Sequence, residues 1–127
     1  MFVDDDLILR KLFARSIKKA APSWTFKEAI NGETALSLVE SEQFDLIFMD
    51  QYMASTQKCL LGTETVKALR EKGVSCRICG LSANDKGVEF LEAGADAFAL
   101  KPLPCDVQAL KKELLRVLNL DQEAQLS

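Results

Sequence analysis

Short apolar runs alternate with amphipathic stretches along this chain, the pattern expected when helices cover both faces of a parallel sheet. The stub Met1 to Val3 ends at a run of acids. The next stretch offers Leu9, Leu12, Phe13 and Ile17 at spacings of three and four, so a strand leads into a helix. Trp24 to Ile30 reads as a second strand, broken by Asn31-Gly32, and Glu33 to Glu40 as a helix with Ala35, Leu38 and Val39 inward. Asp45 to Met49 is a third strand, apolar behind its one acid and ending at Asp50. A polar loop then leads to a helix over Thr63 to Lys72, with Val66 and Leu69 on one face and Gly73 as its C-terminal cap. Ser75 to Leu81 is the fourth strand, Asp85 to Ala93 a short helix ended by Gly94, and Ala95 to Leu100 the fifth strand. Cys105 to Leu118 closes the chain as a helix whose stripe is Val107, Leu110, Leu114 and Val117 or Leu118. With no repeat, linker or low-complexity stretch between them, these strand–helix units predict one α/β domain over residues 1–127.

Composition removes several classes of function. At 127 residues the chain is long enough to bury a substantial core. Its 16 Lys+Arg against 19 Asp+Glu give a net charge of −3, so no basic field exists to draw in nucleic acid or anionic lipid. No apolar run approaches the roughly 20 residues of a membrane-spanning helix. The start MFVDDDL has no basic, apolar and small-residue leader, so the cytoplasm is the expected compartment. There is no His, which excludes imidazole ligands, bases and triads and leaves any chemistry to carboxylates, Lys and hydroxyls. Of the Cys at 59, 76, 79 and 105, only Cys76 and Cys79 stand at a C-x-x-C spacing. Their run VSCRICGLS reads as a strand, where side chains three apart point to opposite faces; reduced, packed thiols are expected rather than a redox or zinc site.

Parallel strands joined by right-handed crossovers all end on one edge, and ligands of such sheets bind there. Those ends carry Asp4, Asp5 and Asp6 after the first strand, Asp50 after the third, Ser82 after the fourth and Lys101 after the fifth. Gathering carboxylates costs about 1 kcal/mol per pair in water at 4 Å, and several times more when partly buried. Lys101 supplies one compensating charge, and a hard divalent cation such as Mg²⁺ suits the remaining oxygens. The competing explanation is that Asp4 to Asp6 only cap a helix N-terminus and Asp50 merely ends a strand; capping accounts for one or two acids, not for the set.

The segments FVDDD, AINGETAL, DLIFMD, GLSA and LEAGADAFALKP, in this order, resemble the receiver domain of two-component response regulators over essentially the whole chain. The resemblance implies a three-layer, doubly wound, flavodoxin-like (βα)5 fold with strand order 2-1-3-4-5. It implies that Asp50 accepts a phosphoryl group from the phosphohistidine of a histidine kinase or histidine phosphotransfer protein. Asp4 and Asp5 match the acid pair, and Asp4, Asp5, Asp50 and the backbone carbonyl of Tyr52 are the implied Mg²⁺ site. Ser82 matches the switch hydroxyl, Lys101 the ammonium on the phosphoryl oxygens, and Phe98 the aromatic that turns on activation. Tyr52 and Asn84 fall where receivers tune phosphoryl lifetime. The output implied is a protein docking on the surface of the fourth helix, fifth strand and fifth helix, or a phosphorylation-dependent dimer, from a module that is not a turnover enzyme.

This chain departs from the family pattern in three places. Ala54 stands where a Pro is usual and the loop after Asp50 is longer; the segment between Ser82 and Lys101 is shorter, so the fourth helix is expected to lose about a turn. The first strand is only MFV although it should be central, so either residues upstream are missing or the domain belongs to a longer protein. Two other readings remain: a pseudo-receiver that binds proteins without being phosphorylated, and a haloacid-dehalogenase-like phosphatase with Asp4 as nucleophile and Asp6 as acid. The phosphatase needs a further acidic pair on a strand beyond Lys101, where only a helix and a tail are expected.

Overall fold

Side chains alternate across each strand, and in the computed structural model, which describes residues 1–53 and 60–119, that alternation sorts the core into two layers. The elements are β1 (Phe2–Val3), α1 (Leu7–Ala20), β2 (Glu28–Ala29), α2 (Gly32–Ser41), β3 (Leu46–Asp50), α3 (Gly62–Glu71), β4 (Arg77–Ser82), α4 (Gly87–Ala93), β5 (Ala97–Leu100) and α5 (Val107–Leu118). All strand pairs are parallel, in the order β2-β1-β3-β4-β5. Phe2, Phe48, Cys79 and Leu81 face α1 and α5, where they meet Phe13, Ile17, Leu110, Leu114 and Val117. Val3, Ile47, Met49 and Ile78 face the opposite way, against Val66 and Leu69 of α3 and Phe90 of α4. Each such residue, fully buried, contributes about 1.5–3 kcal/mol of transfer free energy. Phe2 and Phe13 stack with centroids 4.4 Å apart, and Phe48 meets Phe13 edge-on at 5.1 Å, tying α1 to the central strands.

Three helices start on side chains that accept N–H bonds their first turns cannot satisfy internally: Asp6 for α1, Asn31 for α2 and Asp106 for α5. These caps fix where the chain turns off the sheet edge and so where the residues just before them point. Cys76 and Cys79 lie on opposite sides of the sheet, and burial pushes the Cys79 thiol up to about 12.

Several boundaries differ from those read in the sequence. The second strand is Glu28–Ala29 rather than Trp24 to Ile30, because β1 offers it only two partners, Phe2 opposite Glu28 and Val3 opposite Ala29. Trp24 and Phe26 instead pack as half-buried side chains on the α1/α5 layer. The buried stripe of α1 is Arg10, Phe13, Ile17 and Ala20, which leaves Leu12 exposed. Helix α5 begins at Val107, since Asp106 takes the cap, and Cys105 precedes it. The short fourth helix is a seven-residue α4. Ala54 and the lengthened loop after Asp50 fall on residues 54–59, outside those described. No helix among the described residues is long and apolar enough to cross a membrane.

Candidate functional site

Val3 of β1 stands beside Met49 of β3, so the residues that follow them, Asp4 and Asp50, leave the sheet side by side. Both are buried, at 1% and 5% exposure, where an unpaired carboxylate would be expensive. The compensating charge comes from the far end of the chain. Lys101, just past β5, donates from Nζ to Asp4 Oδ2 at 2.7 Å and to Asp50 Oδ1 at 3.1 Å. Its placement is fixed by its own N–H, which donates to the Ser82 carbonyl at 2.9 Å and extends the β4–β5 ladder by one bond.

The three consecutive acids divide their roles. Asp4 accepts from Lys101 and from the Asp6 N–H, at 2.9 Å on Oδ1. Asp5 is half-buried and brings a carboxylate oxygen into the cluster with Asp4 and Asp50, all within 4.8 Å of one another. Asp6 is exposed and committed to α1, accepting from the N–H groups of Ile8 and Leu9. The helix-cap explanation thus holds for one acid of the three. It also removes the general acid that the phosphatase reading required of Asp6.

Three carboxylates against one ammonium leave an excess of two negative charges in a partly dry site. That excess, the all-oxygen donor set and its tight span fit a hard divalent cation such as Mg²⁺, which Asp4, Asp5 and Asp50 would hold. Burial, with the Asp4 charge beside it, outweighs the pull of Lys101 and pushes Asp50 up from an ordinary 3.8 to about 6. Burial works to lower the Lys101 ammonium as well, but its hydrogen bonds and attraction to Asp4 and Asp50 exceed that and hold its pKa above the ordinary value. Between pH 3.8 and about 6 the folded chain keeps a proton on Asp50 that the unfolded chain releases, so rising pH across that window removes stability. Asp50→Asn is therefore expected to stabilise the metal-free protein by about 1–2 kcal/mol at pH 7.5, after allowance for solvent screening, with the gain shrinking toward pH 4. Urea denaturation at the two pH values measures this; an Asn variant no more stable than wild type at pH 7.5 would contradict it.

Ser82 ends β4 on the same edge, buried, and its Oγ accepts the Asn84 N–H at 3.3 Å. Phe98 sits half-buried in β5 with its ring centroid 5.9 Å from that of Phe90. Tyr52 and Asn84 are both exposed. The structure thus brings carboxylate oxygens of Asp4, Asp5 and Asp50 within 4.8 Å of one another with Lys101 bonded to Asp4 and Asp50, and ends Ser82 on the same sheet edge, while Tyr52 and Asn84 are exposed.

Sequence reasoning missed three residues that hold this arrangement. Arg10 donates from Nη1 to the Asp4 carbonyl at 2.7 Å and from Nε to Glu28 at 3.0 Å, linking the acid loop to β2. Gln51 is buried: its N–H donates to the Leu81 carbonyl, its carbonyl accepts from Gly62, and its Oε1 accepts the Thr63 N–H at 2.9 Å. It caps α3 from twelve residues away, where the helix's own flanking residue, Leu61, has no polar side chain to offer. Gly62 lies against the Asp50 backbone so closely that a Cβ would fall 2.2 Å from the Asp50 carbonyl oxygen. An Arg on the inner face of an amphipathic helix was the available signal for Arg10; a polar Gln directly after an apolar strand was the signal for Gln51.

This sheet order, with buried acids and a lysine gathered at its C-terminal edge, defines a class, and the response regulator receiver domain model matches residues 1–115: the chain belongs to that family. It is similar to the nitrate/nitrite response regulator NarL of Escherichia coli K12, 35% identical over 106 residues that cover 81% of this chain and 47% of NarL. The chain thus spans about half the length of that relative. It is also similar to the two-component response regulator ORR41 of Oryza sativa subsp. japonica, 32% identical over 108 residues, 81% of this chain and 82% of ORR41. Among solved structures it resembles chemotaxis response regulator CheY4 of Vibrio cholerae, 27% identical with a TM-score of 0.78, covering 92% of this chain and 95% of CheY4. The domain is a module of two-component, phosphorylation-based signalling.

Proposed function

We propose that Asp50 accepts a phosphoryl group from the phosphohistidine of a histidine kinase or histidine phosphotransfer protein. The observation that supports this most directly is the Lys101 ammonium shared between Asp4 and Asp50, beside the third carboxylate of Asp5. At neutral pH Asp50 is mostly ionised, and its oxygen attacks phosphorus. An O–P bond forms as the N–P bond breaks, and the electron pair returns to the imidazole, which takes up a proton. Lys101 neutralises charge spreading onto the phosphoryl oxygens. Asp4, Asp5, Asp50 and the Tyr52 carbonyl would hold a Mg²⁺ ion, which would supply further charge neutralisation. No general base is needed, which agrees with a chain that has no His.

The acyl phosphate adds about −1.5 to −2 charges at the edge of the sheet and draws the Ser82 hydroxyl toward it, leaving room for Phe98 to turn inward. The readout is the α4-β5-α5 face, where Val88, Leu91 and Leu100 stand more than half exposed in wait of a protein partner or a second copy. Tyr52, two residues past the acceptor, and Asn84, two past Ser82, set the lifetime of the phosphoryl group at the rim.

Intact mass after incubation with Mg²⁺ and a small acyl-phosphate donor tests this. The expected result is one phosphoryl adduct, lost in Asp50→Asn and with chelator, whose decay on dilution slows relative to Tyr52→Ala. No adduct from either the small donor or a phosphorylated histidine phosphotransfer domain would replace the reading with a pseudo-receiver. Turnover of the donor independent of Asp50 would revive a phosphatase.

A further inference from the structure

Gly80 of β4 stands opposite Phe98 of β5 in the parallel ladder. Neighbouring strands lie about 4.8 Å apart, so a side chain at position 80 would be the in-plane neighbour of the Phe98 ring. Gly80 supplies none, and the space is filled from another element. A Cβ built on Gly80 would lie 2.2 Å from Cγ of Phe90 and 2.4 and 2.5 Å from its two Cδ atoms. Phe90 belongs to α4, is fully buried, and sets its ring 5.9 Å from that of Phe98 at an interplanar angle of 31°. A helix side chain therefore occupies the position that the strand would otherwise fill.

The rest of α4 is held unevenly. Its C-terminal end is tied down by Arg70 of α3, which donates to the Gly94 carbonyl at 2.8 Å and also to the carbonyls of Val74 and Cys76 and to Asp96. At its N-terminal end Lys86 offers no side-chain cap and the exposed Asp85 Oδ1 accepts the Gly87 N–H at 3.0 Å, while Val88 and Leu91 point to solvent. Between the two, Phe90 is the one buried side chain of α4 and sits in the notch over Gly80, while the backbone at Gly87 passes beside the Phe98 ring. We propose that Phe90 is a positioning residue that makes α4 answer directly to the Phe98 ring, so that a turn of Phe98 re-aims the face carrying Val88 and Leu91. This rests on the phosphorylation reading above and specifies how the switch reaches the docking face. A residue fixed on β4 would absorb the same turn within the sheet; a residue on α4 passes it to the helix.

The test moves the bulk back onto the strand. Gly80→Ile with Phe90→Ala keeps the apolar volume of the layer roughly constant while removing the helix side chain from beside Phe98. Methyl NMR of Val88 and Leu91, with and without phosphorylation, reads the response of α4, and intact mass reads phosphoryl uptake in the same samples. Uptake equal to wild type with a methyl response about threefold smaller is the expected result. A folded, fully phosphorylated double variant with an undiminished response overturns the proposal and leaves phosphorylation at Asp50 standing. Absence of an adduct in the wild-type protein overturns both. Should the double variant fail to fold, Phe90→Leu carries the test: it keeps an apolar side chain in the notch without the ring, and an undiminished response there is equally fatal.

Discussion

Lys101→Ala is expected to slow phosphoryl acceptance by Asp50 about a hundred- to a thousandfold at saturating Mg²⁺, the usual effect of removing one preorganised donor from developing oxygen charge. Among the described residues, Lys101 is the cation in contact with Asp50. Without it Asp4, Asp5 and Asp50 face one another uncompensated, and the Asp50 carboxyl, already pushed up to about 6, has lost the partner that restrained it. Divalent cations should therefore stabilise the variant more than they stabilise wild type, which thermal unfolding with and without Mg²⁺ would show. Lys101→Arg keeps the charge but replaces a compact ammonium with a planar fork, so it should recover stability more fully than rate. A Lys101→Ala rate within a few fold of wild type would remove Lys101 from the mechanism.

Gly62→Ala is expected to destabilise the fold by about 2–3 kcal/mol, lowering Tm by roughly 10 °C, and to slow phosphorylation as well. Helix propensity favours the substitution by less than the roughly 1 kcal/mol of a helix interior, since Gly62 is the first residue of α3. The close contact opposes it and wins. The added Cβ would lie 2.2 Å from the Asp50 carbonyl oxygen and 2.8 Å from its carbon, atoms of the backbone that cannot rotate aside. Either the end of β3 shifts, taking the acceptor with it, or α3 retreats and loses the bonds from Gly62 and Thr63 to Gln51. Gly73→Ala is the control: its φ of +88° strains an alanine, but nothing lies within 4 Å of the new carbon. Its cost should be about 1 kcal/mol, with phosphorylation untouched. Equal losses for the two variants in denaturant would show that the close approach to Asp50 is immaterial.

What could be read in advance was whatever depends on one element at a time. Apolar periodicity marks every strand and helix, and the shared direction of parallel strands places Asp4, Asp5, Asp50, Ser82 and Lys101 on one edge from the sequence alone. What could not be read depends on a partner elsewhere in the chain. Trp24 to Lys27 has strand-like residues, but a strand is only as long as its neighbour, and β1 offers Phe2 and Val3. Arg10 is buried because Glu28, eighteen residues on, and the Asp4 carbonyl, across the turn into α1, meet it, and neither pairing shows in the helix's own pattern. Gln51 as the cap of α3, and Phe90 in the notch over Gly80, are likewise facts about pairs. The triplet Asp4-Asp5-Asp6 showed that acids were needed; only the turn into α1 shows that the last of them serves the helix.

Lys101 reaches Asp4 across a sequence separation of 97 residues. A growing chain therefore cannot assemble the buried acid cluster with its counter-charge until β5 has docked, because Lys101 follows that strand. Such long-range pairing is slow to form, and a partly made or partly opened domain presents Asp4, Asp5 and Asp50 without the Lys101 ammonium beside them. Assembly of the Asp4–Asp50–Lys101 cluster is thus coupled to completion of the fold.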